Sequence, residues 1–136
     1  MSRTVLRRIR LAGFLALWTL LLLLLTACQG AASPATGEVS FELVALEPDT
    51  QVVGEVTLVL KVLRGDAALA GAQVAVQGDL RRAGVLPVQG SGQTDSAGVV
   101  RVPFEWTAGG DWVVTVTITT PDGQQRAGQF ELTIAS

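Results

Sequence analysis

The feature that most constrains the fold of this chain is an alternation of apolar and polar residues with a period of two. The clearest run is Trp-Val-Val-Thr-Val-Thr-Ile-Thr at residues 112–119, in which the larger apolar side chains stand at even positions. Successive side chains of a β-strand point to opposite faces, so such a run buries one face and leaves the other to solvent. The sequence therefore predicts a strand here with a single buried face.

Similar runs divide residues 38–136 into about seven short strands. Their apolar positions are Val39, Phe41 and Leu43; Val56, Leu58, Leu60 and Val62; residues 72–77; residues 85–89; Val100, Val102 and Phe104; residues 112–119; and Phe130, Leu132 and Ile134. Turn residues such as Gly, Pro and Asp separate them, and no segment shows a helical period. This pattern predicts an all-β, immunoglobulin-like two-sheet β-sandwich, with a closed barrel as the alternative.

Individual residues refine that prediction. Pro87 cannot donate a ladder hydrogen bond, so the strand at residues 85–89 is expected at a sheet edge. Trp112 and Phe104 are expected in the core. Trp106 precedes a glycine-rich turn and is expected to be partly exposed.

The first 27 residues have the composition of a secretory signal peptide. Four arginines lie within residues 3–10, and the uncharged run Leu11–Leu25 follows them. As a helix these 15 residues would rise roughly 22 Å, which is less than the hydrocarbon thickness of about 30 Å that a spanning helix must cross. We therefore expect a signal-peptide helix at residues 1–27 and not a permanent membrane span.

The four residues that end this run, Leu25-Thr26-Ala27-Cys28, resemble the bacterial lipobox. The resemblance implies cleavage before Cys28 and lipidation of its thiol, and two or three acyl chains give stable anchoring. Residues 28–37 are small and apolar-poor, so they are expected to form a flexible tether. The predicted location is therefore outside the cytoplasm, anchored to the cell membrane or the outer membrane. Gln29 mildly favours the outer membrane where one exists.

Charge and composition exclude several functions. After residue 27 the chain has six basic and twelve acidic residues, a net charge of 6 − 12 = −6. This balance is poorly suited to nucleic acid, which is bound by neutralising phosphates. The sequence has no histidine, the commonest general base, and no catalytic set or phosphate-binding motif. We expect no enzyme activity and no cofactor. Asp95 and Asp122 lie in turns that lack the ligand density of a calcium loop.

One stretch does not have the pattern of the strands and turns that build the fold. Residues 78–88 set Arg81 and Arg82 among exposed-looking aliphatic side chains. This loop, with residues 70–74, 103–106 and 110–116 around it, resembles the YtkA-like domains related to FixH. The resemblance spans roughly residues 40–134 and implies an extracytoplasmic β-sandwich, often tethered to a membrane.

Many members of that family carry Met, His and Met in this loop, which implies a copper-handling role. Here those positions are Leu80, Arg82 and Val85, which offer no metal ligand. We therefore predict no metal site. The residues expected to contact a partner are Leu80, Arg81, Arg82, Val85 and Leu86, because Arg binds carboxylate or phosphate bidentately. Alternatively, the two arginines are solvated charges that keep a sheet edge from pairing.

These observations predict a lipid-anchored module that binds an unidentified envelope protein without catalysis. The alternative is a copper-handling or respiratory oxidase assembly accessory protein whose Met and His ligands have been lost. A purely structural spacer ranks last, because a single domain on a short tether makes a poor spacer.

Overall fold

The computed structural model describes residues 37–136, which fall in one compact unit, Ala35–Ser136. Eight strands make up most of it: β1 (Val39–Glu47), β2 (Gly54–Arg64), β3 (Ala67–Ala68), β4 (Gln73–Leu80), β5 (Val88–Gln93), β6 (Val99–Trp106), β7 (Gly110–Thr119) and β8 (Gln125–Ile134). The predicted signal helix, Cys28 and all of the tether before Gly37 lie outside the described residues. No helix within residues 37–136 has the length and apolar character needed to cross a membrane.

The strands form two antiparallel sheets packed face to face. In one sheet β2 lies between β1 and β6, and the two-residue β3 pairs with the C-terminal end of β2. The other sheet has the order β5-β4-β7-β8. The predicted all-β sandwich is confirmed, with β3 as a strand additional to the seven that were predicted.

The core lies between the sheets and follows the predicted alternation. Trp112, Val114, Val116 and Ile118 of β7 are all buried, whereas the residues between them are half-buried on the outer face. Phe104 is buried as predicted. Complete burial of one such side chain stabilises the fold by about 1.5–3 kcal/mol, so the even positions of β7 alone contribute a large share of the core.

Strand β1 changes its inward face part of the way along. Val39 and Leu46 are both buried although their positions differ by seven, an odd number that strict alternation would place on opposite faces. The pairing with β2 shifts register between Leu43 and Ala45, which leaves Val44 53% exposed. A bulge of this kind adds one unpaired residue and reverses the inward phase. The bulge is why alternation alone could not assign the second half of β1.

Trp106 is completely buried, so the prediction that it is partly exposed was wrong. Its ring lies edge-on between Phe104 and Trp112, with centroid separations of 5.0 and 5.3 Å. Gly78 makes room for this cluster, since a Cβ there would lie 2.7 Å from Cζ of Phe104. The error arose because β6 continues to residue 106, where it pairs with Gly54.

The fourth predicted strand is displaced. It was expected at residues 85–89 but runs from Val88 to Gln93, after Pro87 and not around it. Its predicted edge position is confirmed, because β5 pairs only with β4. The inward positions of β5 include Gly90 and Gly92, whose missing side chains let the strand approach β6. The sequence therefore lacked the apolar alternation that marks the other strands.

The three loops at 48–53, 81–87 and 107–109 share one end of the sandwich, which we call the loop end. The registers require this, because Glu47 pairs with Thr57, and Leu80 pairs with Trp112 just after the 107–109 loop. The chain enters at the opposite end, where Val39 pairs with Arg64. The loop end is therefore the side of the domain farthest from the point where the chain enters it.

Candidate functional site: the loop end

The five residues predicted to contact a partner all lie at the loop end, but they do not form one exposed cluster. Leu80 is the last residue of β4 and Val85 lies in the 81–87 loop; both are partly buried against the core. Leu86 is 84% exposed. The aliphatic residues thus divide into two that hold the loop to the domain and one that faces solvent.

Arg81 is held on the outer face of the β5-β4-β7-β8 sheet. Its backbone N–H donates to the carbonyl oxygen of Asp111 at 2.9 Å, and its guanidinium pairs with the carboxylate of Glu131. Both side chains of that pair are more than half exposed, so its contribution to stability is at most about 1 kcal/mol. Arg81 is therefore partly committed to the domain itself.

Arg82 is different. Its side chain is exposed, and it makes no ion pair with any residue in the range 37–136. Its backbone N–H donates to the carbonyl oxygen of Leu80 at 2.6 Å, which fixes the start of the loop. Of the two adjacent arginines, Arg82 is thus the one whose guanidinium is available to an external carboxylate or phosphate.

The structure adds two apolar residues that the sequence analysis did not single out. Val52 and Val53, in the 48–53 loop, are 47% and 42% exposed. Pro48 of the same loop and Val88 of β5 line one groove of about 620 Å³ at this end. The sequence does mark this pair, since two consecutive valines directly before Gly54 break the alternation of apolar and polar residues. No rule of strand periodicity assigns such a pair to solvent.

Backbone hydrogen bonds connect the 48–53 loop to Ala135, the residue directly after β8. The N–H of Val53 donates to the carbonyl oxygen of Ala135 at 3.1 Å, and the N–H of Ala135 donates to Gln51 at 2.8 Å. In the 107–109 loop, Nε1 of Trp112 donates to the carbonyl oxygen of Ala108 at 3.0 Å. The exposed valines are thus presented by a loop with fixed backbone partners.

Two acidic residues in turns, Asp95 and Asp122, accept hydrogen bonds from other parts of the domain. Oδ1 of Asp95 accepts from the backbone N–H groups of Ala97 and Val99, at 2.9 and 3.0 Å. Asp122 accepts from Arg64 at 2.9 Å and from the hydroxyl of Thr120. The hydrogen bond from Arg64, supported by that from Thr120, lowers the pKa of Asp122.

Metal-binding chemistry is not assembled in the part of the chain that the structure describes. Within residues 37–136 there is no group of three or more His, Cys, Asp or Glu side chains placed to hold an ion. The three loop positions that were compared with Met, His and Met in the sequence hold a half-buried Leu80, an exposed Arg82 and a half-buried Val85. None of these side chains supplies a lone pair to a metal.

Comparison with known proteins gives one structural likeness. No protein-family model and no curated protein matches the chain. The soluble domain of PmoD from Methylocystis sp. (Rockwell) is similar, with 16% sequence identity and a TM-score of 0.45. The alignment covers 71% of this chain and 90% of that one. A likeness at this level carries no information on ligands or partners.

Proposed function

We propose that this protein is a lipid-anchored β-sandwich outside the cytoplasm that binds an envelope protein through its loop end, without catalysis. The observation that carries the proposal is Leu86, a large apolar side chain left 84% exposed near Arg82, which has no ion-pair partner within residues 37–136. Membership among the YtkA-like, FixH-related domains, which the loop and its flanking strands resemble, is part of the same proposal.

The position of the loop end suits such a role. The chain enters the domain at Gly37, and the loop end is on the opposite side of the sandwich. If lipidated Cys28 holds the N-terminal side at a membrane, the loop end points away from the lipid. Leu86, the most exposed large apolar side chain within residues 37–136, is then offered to a neighbouring protein.

The chemistry of the loop end specifies the surface it would fit. Burial of Leu86 in an apolar pocket would contribute about 1.5–3 kcal/mol. Arg82 can form two parallel hydrogen bonds to one carboxylate, which adds orientation as well as affinity. The exposed Val52 and Val53 would extend the apolar contact at the rim. We therefore propose a partner surface with an apolar pocket next to an acidic residue.

Site-specific crosslinking in native membranes tests the loop end. A photoreactive side chain at position 86 of the full chain should crosslink to one reproducible envelope protein, and the same group at Val44 should not. Val44 is a suitable control because it is 53% exposed but lies on β1, away from the loops. With the photoreactive group at position 86, Arg82→Glu should abolish capture, whereas Val44→Ser should leave it unchanged. Equal labelling from both positions would overturn the proposal.

The anchor is tested separately. Cys28→Ser should remove incorporation of radiolabelled palmitate and shift the protein out of the membrane fraction, whereas Ser33→Ala should change neither. A Cys28→Ser protein that still carries the lipid label would contradict the proposed anchor. That result would leave the loop-end proposal open to its own crosslinking test.

A further inference from the structure

A second surface, which does not include Arg82 or Leu86, lies on the outward face of the β5-β4-β7-β8 sheet. The strand registers align alternate positions of residues 89–93, 73–77, 115–119 and 125–129 into three rows that cross all four strands. One outer row consists of Gln93, Gln73, Thr119 and Gln125, and the other consists of Gln89, Gln77, Thr115 and Gln129. The middle row reads Ser-Ala-Thr-Ala, at Ser91, Ala75, Thr117 and Ala127. Two ridges of amides and hydroxyls thus flank a floor of small side chains.

None of these twelve positions is acidic or basic, although residues 37–136 contain twelve acidic and six basic residues. Charged side chains begin in the next row toward the loop end, where Asp79 and Glu131 pair with Val113 from either side. Six of the eight glutamines in residues 37–136 lie here, and the other two are Gln51 and Gln124. A surface that excludes charge and concentrates amides is suited to a neutral, hydrogen-bonding ligand and poorly suited to an ion or a charged polymer.

The face is also concave. A groove of about 440 Å³ lies over β5, β4 and β7, where Ala75, Gln77, Gln89, Ser91, Thr115 and Thr117 line it together with Val76 and Gly90. Its lining combines one outer row with the middle row. The twelve positions as a whole, which we call the glutamine face, extend about 13 Å along the strands and about 14 Å across the four strands.

Lateral hydrogen bonds orient the amides and leave part of their capacity free. Nε2 of Gln129 donates to Oγ1 of Thr115 at 3.0 Å, and Nε2 of Gln77 donates to Asp79 at 3.1 Å. Nε2 of Gln89 donates to Oε1 of Gln77 at 3.4 Å. An amide has two N–H donors and two acceptor lone pairs, so each glutamine retains groups for a ligand. Side chains held in this way lose less conformational entropy when they bind.

The dimensions select among possible occupants. The glutamine face of about 13 by 14 Å has an area of about 180 Å², whereas a standard protein interface uses about 800 Å² per partner. A second copy or another globular protein would therefore gain too little contact. An added peptide strand would need unpaired backbone groups, but β4 and β7 are paired on both sides. A linear chain that meets side-chain amides fits better.

We propose that the glutamine face binds a neutral glycan chain lying across the strands. Each sugar hydroxyl both donates and accepts, as do the amides and hydroxyls of the ridges, and the small floor residues admit a sugar ring between them. The glutamine face does not include Arg82 and Leu86, on which the loop-end proposal rests, so each proposal stands without the other.

Nuclear magnetic resonance of the glutamine side chains tests the site on residues 37–136, which contain the whole core described above. Addition of neutral dextran, mannan or hydroxyethyl cellulose should shift the side-chain NH₂ signals of the six glutamines on the face. Gln51 and Gln124 serve as internal controls and should not move. In affinity gel electrophoresis the paired variant Gln77→Ala with Gln129→Ala should bind about fivefold or more weakly, since it removes two hydrogen-bonding groups. Glu42→Gln, on the other sheet, should bind like the wild type.

Each other result overturns the proposal. No shift with any of the three polysaccharides would exclude a general neutral-glycan site, and equal shifts at Gln51 would show non-specific binding. Circular dichroism confirms that the paired variant is folded, and Ala75→Arg provides a second variant that blocks the floor without removing an amide. A concentration-dependent dimer that Ala75→Arg abolishes would assign the face to self-association instead.

Discussion

The backbone of Gly90 in β5 lies directly against the carbonyl oxygen of Pro103 in β6, so that a Cβ at Gly90 would come within 2.6 Å of that oxygen. The two strands belong to different sheets, and their close approach brings the sheets together along one edge of the sandwich. Gly92 makes a second close approach to β6, where a Cβ would lie 2.6 Å from the side-chain Cγ2 of Val100. Two inward glycines thus replace the apolar side chains that fill the rest of the core.

Gly90→Ala should destabilise the domain by about 1–3 kcal/mol, because the added methyl group meets a backbone atom that cannot rotate away. The matched control is Ser91→Ala on the same strand, whose side chain faces outward and whose change should stay within about 0.5 kcal/mol. Urea unfolding measures both. Equal stability of the two variants would show that β5 and β6 can separate without cost.

The two buried tryptophans should respond differently to the same substitution. Nε1 of Trp112 donates to Ala108 at 3.0 Å, whereas Nε1 of Trp106 is buried with no partner among the described residues. Trp112→Phe therefore loses this hydrogen bond and leaves the carbonyl oxygen of Ala108 without its indole donor. Trp106→Phe removes an unsatisfied donor, which offsets part of the lost packing.

We expect Trp112→Phe to cost about 1–2 kcal/mol more than Trp106→Phe. The measurement is urea unfolding of residues 37–136, which contain only these two tryptophans, so each variant retains one intrinsic fluorophore. A larger loss from Trp106→Phe would mean that its indole N–H has a partner in solution.

Asp122 should make the domain less stable in acid. The hydrogen bond from Arg64, together with that from Thr120, lowers the pKa of Asp122 below its ordinary value of 3.8. Because the folded pKa is the lower one, the unfolded chain takes up the proton first as the pH falls. The stabilisation is therefore complete well above pH 3.8 and is lost as the pH falls below that value through the folded pKa.

Asp122→Asn should thus lower the free energy of unfolding at pH 7 and give a smaller further loss between pH 5 and pH 2 than the wild type. Urea titrations at several pH values measure this. In an Arg64→Gln background the effect of Asp122→Asn should shrink, since the first cause of the shift is gone. An unchanged pH profile in Asp122→Asn would refute this linkage.

Copper titration separates the proposed function from the copper-handling alternative. Residues 37–136 should show no sub-micromolar binding of Cu(I), because Leu80, Arg82 and Val85 offer no ligand. The triple variant Leu80→Met, Arg82→His and Val85→Met installs soft and borderline ligands at those positions and should bind Cu(I) more tightly. Competition with a chromogenic chelator measures both affinities. Sub-micromolar binding by the wild type would favour the alternative.

Local residue patterns predicted much of the fold. Alternation located β2, β6, β7 and β8, and Pro87 indicated the edge position of the strand beside it. The five loop residues were placed at one end of the domain by the structure, but Arg81 and Arg82 differ in a way that their adjacency concealed. Only the register of β7 and β8 shows that Arg81 reaches Glu131 while Arg82 reaches no acidic group within residues 37–136.

The sequence by itself determined the β class, the number of main strands and the residues that fill most of the core, because a period of two is a local property of the chain. The tertiary structure decided what depends on distant segments: the bulge that turns Val44 outward, the burial of Trp106, and the replacement of core side chains by Gly90 and Gly92. It also assembled the uncharged glutamine face from four strands. No single strand contains that face, because it exists only through the cross-strand register.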